Sequence, residues 1–434
     1  MTAEIGILNR HGVALAADSA VTISQGDKLK ILNTANKLFN LSNTAPVGIM
    51  IYGNGSYINT PWDIIIKEYR RQLGATKLDT LQEYANNFFD YLFSCETINS
   101  PNIQIQLVQR LFHERLEIVL DKVNRILFNK YEGSKPPVEE VKAVLVEEIA
   151  KYLKHLEQID YLNGKKDLSI KEYKEKYYNK IIEVIKGTIF ISLEYEVLEM
   201  LVKIGYYAIT KDSFINYTGI VIAGYGEKEI FPRIYEYHVN GLVNNFKRYK
   251  LNDYELVNGE DNNTARIMPF AQQEMVRSVI TGIDPSLYDK VQELISSLTI
   301  NLGGIVKEII DNNKLDIDYS RYDDYFRTAG IEIKQEAMDI IQNCMQENFI
   351  GPILNMVEML PKDELAAMAE TLVNLTSFKR RITIDEETVG GPVDVAIISK
   401  TDGFIWIKRK HYFDREINYN YFNKLRESDN YVFK

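Results

Sequence analysis

The chain opens with two apolar runs separated by a polar turn. Met1-Thr2-Ala3-Glu4-Ile5-Gly6-Ile7-Leu8 reads as a short strand, Asn9-Arg10-His11-Gly12 as a turn, and Val13-Ala14-Leu15-Ala16-Ala17-Asp18-Ser19 as the returning strand. With Leu8 and Val13 flanking the turn, antiparallel pairing holds the sum of paired residue numbers at 21. Ile7 then faces Ala14, Ile5 faces Ala16, Ala3 faces Asp18 and Thr2 faces Ser19, with opposite residues about 5 Å apart. Two more apolar runs follow, Lys37-Leu38-Phe39-Asn40-Leu41 and Val47-Gly48-Ile49-Met50-Ile51-Tyr52, the second ending in Gly53-Asn54-Gly55-Ser56 ahead of a helical pattern from Pro61-Trp62-Asp63.

From about Lys77 to Ile209 the apolar spacing is helical. Leu81, Tyr84, Phe88, Tyr91 and Leu92 share one face, as do Ile105, Leu107, Leu111, Leu116, Val119 and Leu120, and then Val141, Val144, Leu145, Ile149, Tyr152 and Leu153. A helix is expected over roughly Thr188 to Tyr207. Strand patterns return at Gly219–Glu227 and Pro232–Tyr237. Helical spacing resumes between about Asp284 and Gly351 and again from Asp363, and Asp394–Ile398 and Gly403–Ile407 read as final strands.

The hairpin sets Thr2 beside a carboxylate. A threonine hydroxyl is a weak nucleophile that needs a base within reach. Once Met1 is removed, Thr2 carries its own base, an α-amine with an unperturbed pKa of about 7.7–8.0. A nearby lysine favours the neutral amine and a carboxylate holds that lysine in place, which makes Lys37 and Asp18 the candidate partners. Methionine aminopeptidases tolerate small second residues, so removal of Met1 is expected. Taken alone, the hairpin is also compatible with a frayed Thr2 and a turn aspartate.

The larger pattern resembles the proteasome β-subunit group of N-terminal-nucleophile hydrolases, including its simpler bacterial relatives. That group opens with a threonine strand, a glycine-containing turn and a strand close to V-x-L-A-A-D-S, matched here by Gly12–Ser19 at the family's spacing from threonine to aspartate. Asn36-Lys37-Leu38-Phe39 matches the family lysine, Val47–Ser56 its next strand and turn, Gly219–Tyr237 its central hairpin, and Thr388–Ile398 its glycine-marked return. The resemblance implies an α+β fold, a four-layer αββα sandwich of two antiparallel sheets, with a core at 1–76, 188–283 and 351–434 and helical insertions at 77–187 and 284–350. It implies Thr2, Asp18 and Lys37 as catalytic residues, the Gly53 amide as oxyanion support, and Val21 and Thr22 lining a cleft where bound peptide adds as a strand. An accessory acidic residue falls among Asp385, Glu386 and Glu387. The family's Gly-Ser-Gly turn is missing, its place taken by Ala265–Gln272.

The implied activity is that of a threonine peptidase without cofactor, acting on peptide or unfolded protein within a self-compartmentalising homo-oligomer, with a possible separate ATPase partner. Two rivals stand beside it: a catalytically silent assembly subunit and a non-proteolytic amidohydrolase on the same scaffold.

Composition fits a soluble enzyme. At 434 residues and 45% apolar content the chain can fill a sizeable core, and its formal charge of −10 argues against nucleic-acid or membrane-surface roles. Cys95 and Cys344, far apart, read as free thiols of a reducing compartment. No leader pattern or membrane-length apolar run is present, so cytoplasm is the expected location. The five histidines have no metal-ligand spacing. Lys379-Arg380-Arg381 and Lys408-Arg409-Lys410 read as solvated or helix-terminal basic clusters.

Overall fold

The computed structural model describes residues 3–25, 28–165, 167–258, 264–313, 322–383, 390–414, 416–420 and 423. In chain order the first elements are the strands β1 (Glu4–Asn9), β2 (Gly12–Ala17), β3 (Val21–Gln25), β4 (Lys28–Leu32), β5 (Leu38–Asn40), β6 (Val47–Gly53), β7 (Ser56–Tyr57) and β8 (Thr60–Pro61). Helices α1 (Trp62–Leu73), α2 (Leu81–Ser94), α3 (Pro101–Tyr131), α4 (Val138–Gln158), α5 (Ile170–Thr188) and α6 (Tyr195–Thr210) come next. Strands β9 (Thr218–Gly224), β10 (Arg233–Val243), β11 (Phe246–Leu256) and β12 (Ala265–Ala271) precede α7 (Gln273–Thr281), α8 (Pro285–Ile300), α9 (Leu302–Asn312) and α10 (Asp323–Met345). The chain then runs through α11 (Gly351–Met359) and α12 (Lys362–Ile382) to β13 (Asp394–Ser399) and β14 (Gly403–Lys408). This is an α+β protein with two five-stranded antiparallel sheets.

The chain divides into two compact units. One comprises residues 1–38, 230–233 and 256–434 and contains the sheet β12-β1-β2-β13-β14. Its register follows the hairpin rule: Leu8 pairs with Val13, Ile7 with Ala14 and Ile5 with Ala16. Every residue of β1, β2 and β13 is buried. Ala3, Ile5, Ile7, Ala14, Ala16, Val395 and Ile397 pack with Val276 of α7, Val357 of α11 and Leu365, Ala369 and Val373 of α12.

The other unit comprises residues 39–229 and 234–255 and contains the sheet β11-β10-β9-β6-β5. One apolar cluster joins Val47, Ile49, Ile51, Ile220 and Ile222 to α1 and α2 through Trp62, Ile66, Tyr69, Tyr84 and Phe88. A second holds α3, α4, α5 and α6 together around Phe112, Leu145, Tyr173, Ile181 and Leu201.

The helix expected over Thr188 to Tyr207 is displaced. α5 runs to Thr188, the stretch 189–194 is not helical, and α6 begins at Tyr195. Gly187 and the β-branched Ile189 and Ile191 interrupt helical propensity there, and Ile189 caps α5 in an extended conformation. Among the described residues, no helix is long and apolar enough to cross a membrane.

Candidate active site

The β1–β2 hairpin closes because its turn is bonded from within and gripped from below. Asn9 Oδ1 accepts from the His11 amide at 2.8 Å, while Asn9 Nδ2 donates to the carbonyls of Val357 at 2.8 Å and Leu360 at 2.9 Å. Gly12 starts β2 where β13 comes so close that a Cβ would lie 2.6 Å from the Ile398 carbonyl oxygen. Only glycine fits without moving a strand.

At the open end of the hairpin, Asp18 faces Ala3, as the register requires. The Asp18 amide donates to the Ala3 carbonyl at 3.1 Å, and Asp18 Oδ1 accepts from the Ala3 amide at 3.1 Å. Lys37 Nζ lies 2.5 Å from the same Oδ1, in an ion pair whose side chains are 5% and 0% exposed. Asp18 Oδ2 accepts from the amides of Ala20 at 3.3 Å and Gly390 at 3.0 Å. One carboxylate thus gathers an ammonium and three backbone donors, an arrangement that charge assistance strengthens.

The late glycine pair supplies one of those donors. Gly391 has φ +78°, and a Cβ there would lie 2.9 Å from Asn33 Cβ, so glycine both permits the left-handed turn and leaves room for it. Ser19 fastens the same turn: its amide donates to the Gly390 carbonyl at 3.2 Å and its hydroxyl to Pro392 O.

Two acidic groups and a lysine that sequence reading did not single out surround this pair. Ala271, Glu4, Ala17 and Asp394 form one cross-strand row over β12, β1, β2 and β13. Asp394 is 3% exposed and pairs with Lys410 Nζ, and it also accepts from the Lys410 amide at 2.8 Å. Lys410 therefore departs from the expected solvated basic cluster: its side chain is 10% exposed. Burial pulls it below the ordinary lysine value, Asp394 opposes that shift, and Lys37 adds to it. Glu4 is buried, and among the described residues neither of its carboxyl oxygens has a hydrogen-bond partner. Burial raises its pKa well above the usual carboxylate range, with Lys37 opposing and Asp18 reinforcing the shift.

Val21 and Thr22 open β3, paired with Leu32 and Ile31 of β4. Thr2, Asp385, Glu386 and Glu387 lie outside the described residues. Where a Gly-Ser-Gly turn was lacking, Gln272 takes a left-handed conformation at φ +53°, and Arg380 donates to its side chain. A non-glycine residue pays roughly 1–2 kcal/mol for that geometry.

Gly53 ends β6 in the other unit. It has φ +77°, and a Cβ would lie 2.5 Å from the Tyr217 carbonyl oxygen. That oxygen accepts from the Asn54 amide at 3.3 Å, Thr218 Oγ1 donates to the Asn54 carbonyl at 3.1 Å, and Trp62 Nε1 donates to Thr218 Oγ1 at 3.1 Å. The turn is thus held by β9 and the start of α1. Beside it, Tyr52 donates to Glu236, which also accepts from Asn252 at 2.7 Å, and Tyr217 stacks on His238 at 3.9 Å. Burial pushes Glu236 upward, but His238, Tyr52 and Asn252 together hold it below its ordinary value. Among the described residues, no group of three or more His, Cys, Asp or Glu side chains is placed to hold a metal ion.

No protein-family model matches the chain, and no curated protein matches it. Among solved structures, the chain is similar to the Anbu (Gly-1) mutant from Hyphomicrobium sp. strain MC1, at 9% identity and a TM-score of 0.25, over 99% of this chain and 96% of that one. It is also similar to Anbu (ancestral beta-subunit) from Yersinia bercovieri, at 10% identity and a TM-score of 0.25, over 98% of this chain and 95% of that one. Likeness at these scores is too slight to carry function from either protein to this one.

Proposed function

We propose that this chain is a proteasome-like N-terminal threonine hydrolase that cleaves peptide bonds. The observation that carries the reading is the buried Asp18–Lys37 pair, tied through Asp18 to both backbone groups of Ala3, the residue that follows Thr2. With Met1 removed, Thr2 Oγ attacks the substrate carbonyl while the Thr2 α-amine accepts the hydroxyl proton. Lys37 favours the neutral amine by like-charge repulsion, and Asp18 holds Lys37 in position. Amides of the Gly53 turn support the oxyanion. The amine returns its proton to the leaving group, and water then releases the acyl ester from Thr2. Val21 and Thr22 receive the peptide as an added strand. One of Asp385, Glu386 and Glu387 completes the acidic complement.

On this reading the two sheets form the four-layer αββα sandwich of that family, elaborated by helical insertions at 77–187 and 284–350. The protein assembles as a homo-oligomer with enclosed sites in the cytoplasm, fed by a separate ATPase. Intact mass spectrometry with an epoxyketone, which needs both a threonine hydroxyl and a free α-amine, tests the chemistry. The expected result is loss of Met1 and one covalent adduct, absent in Thr2→Ala. Retained Met1, or a processed chain that takes up no adduct, overturns the reading.

A further inference from the structure

The proposed mechanism leaves two buried acids of this cluster unused, Asp394, which is paired with Lys410, and Glu4, whose carboxyl oxygens have no hydrogen-bond partner among the described residues. Glu4 stands two residues after Thr2 and shares a cross-strand row with Ala271, Ala17 and Asp394. Both immediate neighbours in the row are alanines, so neither offers its carboxyl a hydrogen bond. The available donors go to other acids: Ala3 N, Ala20 N, Gly390 N and Lys37 Nζ to Asp18, and Lys410 N and Nζ to Asp394. Among the described residues, both Glu4 oxygens are buried without a partner.

Charge balance leads to the same place. Among the described residues, the buried charged groups here are Lys37 and Lys410 as cations and Asp18 and Asp394 as anions, each anion in direct contact with one cation. Two ammonium groups and two carboxylates already cancel. An ionised Glu4 would add an uncompensated negative charge without donors, the costliest state a buried carboxyl can adopt. Its upward-shifted pKa agrees with the geometry.

We propose that Glu4 is a positioning residue that works as a neutral carboxylic acid, leaving the field of Lys37 undiminished at the Thr2 amine, and that its ionisation raises the pKa of that amine, so that less free base is gained as pH rises. The inference rests on the reading of Thr2 as nucleophile. When Glu4 ionises, its proton goes to solvent and the new anion draws on Lys37, which Asp18 already holds. The α-amine then sits in a more negative field and binds its own proton more tightly. Each unit by which the amine's pKa rises lowers the free-base fraction about tenfold at a pH below that value.

The test compares the full-length protein with Glu4→Gln, which is neutral at every pH, and with Glu4→Met as a second neutral variant should glutamine disturb folding. Stability is measured by urea unfolding across a pH series. A folded-state pKa raised above the ordinary glutamate value of about 4.3 makes the wild type lose stability, relative to Glu4→Gln, as pH rises above that value and until the raised pKa is passed. The folding constants should diverge about tenfold per pH unit in that window. In parallel, the rate of epoxyketone addition to Thr2 is followed against pH: across the window in which Glu4 ionises, the wild type should gain rate less steeply with pH than Glu4→Gln. A stability difference independent of pH through neutrality overturns the neutral Glu4. A divergence in stability with parallel rate profiles overturns its influence on the amine. Absence of an adduct on the wild type overturns the hydrolase reading and the kinetic half of the proposal, while the stability series still decides the protonation state.

Discussion

Asp18→Asn removes the charge of the buried pair while keeping its shape. Asp18 Oδ1 accepts from Ala3 N and Lys37 Nζ, and Oδ2 from Ala20 N and Gly390 N. Whichever oxygen becomes an NH2 group therefore turns a donor toward two donors. Lys37, with 5% of its side chain exposed, loses its counter-charge at the same time. Removing one partner of a buried ion pair typically costs about 3–5 kcal/mol, a large part of the roughly 5–15 kcal/mol that keeps a domain folded. Lys37→Met should cost less, about 1–3 kcal/mol, because the carboxylate keeps its three amide donors. In the double variant the asparagine meets no ammonium, so the combined loss should fall short of the sum by about 0.5–3 kcal/mol.

The chain's two tryptophans make this measurable. Trp62 opens α1 and Trp406 lies in β14, in the same sheet as the hairpin. A Trp62→Phe background leaves Trp406 fluorescence to report on the unit that holds the pair. Urea unfolding of the parent, both single variants and the double variant then closes a cycle. Losses that add to within about 0.5 kcal/mol would refute mutual compensation of the two charges. So would an Asp18→Asn variant no less stable than Lys37→Met.

Three further outcomes follow from the geometry. Gly53→Ala places a Cβ 2.5 Å from the Tyr217 carbonyl at a φ of +77°, so it should destabilise its unit by about 1–3 kcal/mol, read from Trp62 fluorescence in a Trp406→Phe background, and slow adduct formation; an unchanged unfolding midpoint would contradict this. Burial raises the pKa of Tyr57, Tyr69, Tyr173, Tyr225 and Tyr237, the last to about 12, and all five lie in the unit of residues 39–229 and 234–255. Since unfolded tyrosine ionises near pH 10, that unit should lose about 1.4 kcal/mol per pH unit per buried tyrosine above this pH, so the Trp62 probe should report unfolding before Trp406 does; a reversed order would refute the assignment. Finally, native mass spectrometry should find a homo-oligomer, and a monomer at micromolar concentration would remove the enclosed-site part of the proposal.

The opening hairpin was legible because its information is local. Alternation, a polar turn and a constant pairing sum place Ala3 opposite Asp18, and the Ala3–Asp18 bonds follow. The late Gly390-Gly391 pair was legible as a turn. Its second use, turning the Gly390 amide onto Asp18, depends on β13 lying beside β2 and is written in neither segment alone. Lys410 was misread for a similar reason. The run Lys408-Arg409-Lys410 is uniformly basic, yet Lys408 is exposed and pairs with Glu370 of α12, whereas Lys410 turns inward to Asp394, sixteen residues earlier in the chain. A charge run predicts solvation only when no acid is buried within reach.

Glu4 did carry a signal. It is the single ionisable side chain in a six-residue strand whose every position is buried, and the residues that share its face, Gly6 and Leu8, give it no polar company. A strand of this kind tolerates a charged group only if partners arrive from elsewhere or the group gives up its charge. The partners that do arrive, four amides and two ammonium groups, are taken by Asp18 and Asp394. Counting donors against buried acids thus locates the acid proposed to stay protonated, two residues along the chain from the threonine whose amine the proposed mechanism needs free of its proton. In that arrangement the two groups pull against each other: the cationic Lys37 favours ionisation of Glu4, and burial together with the anionic Asp18 outweighs it and keeps the acid neutral.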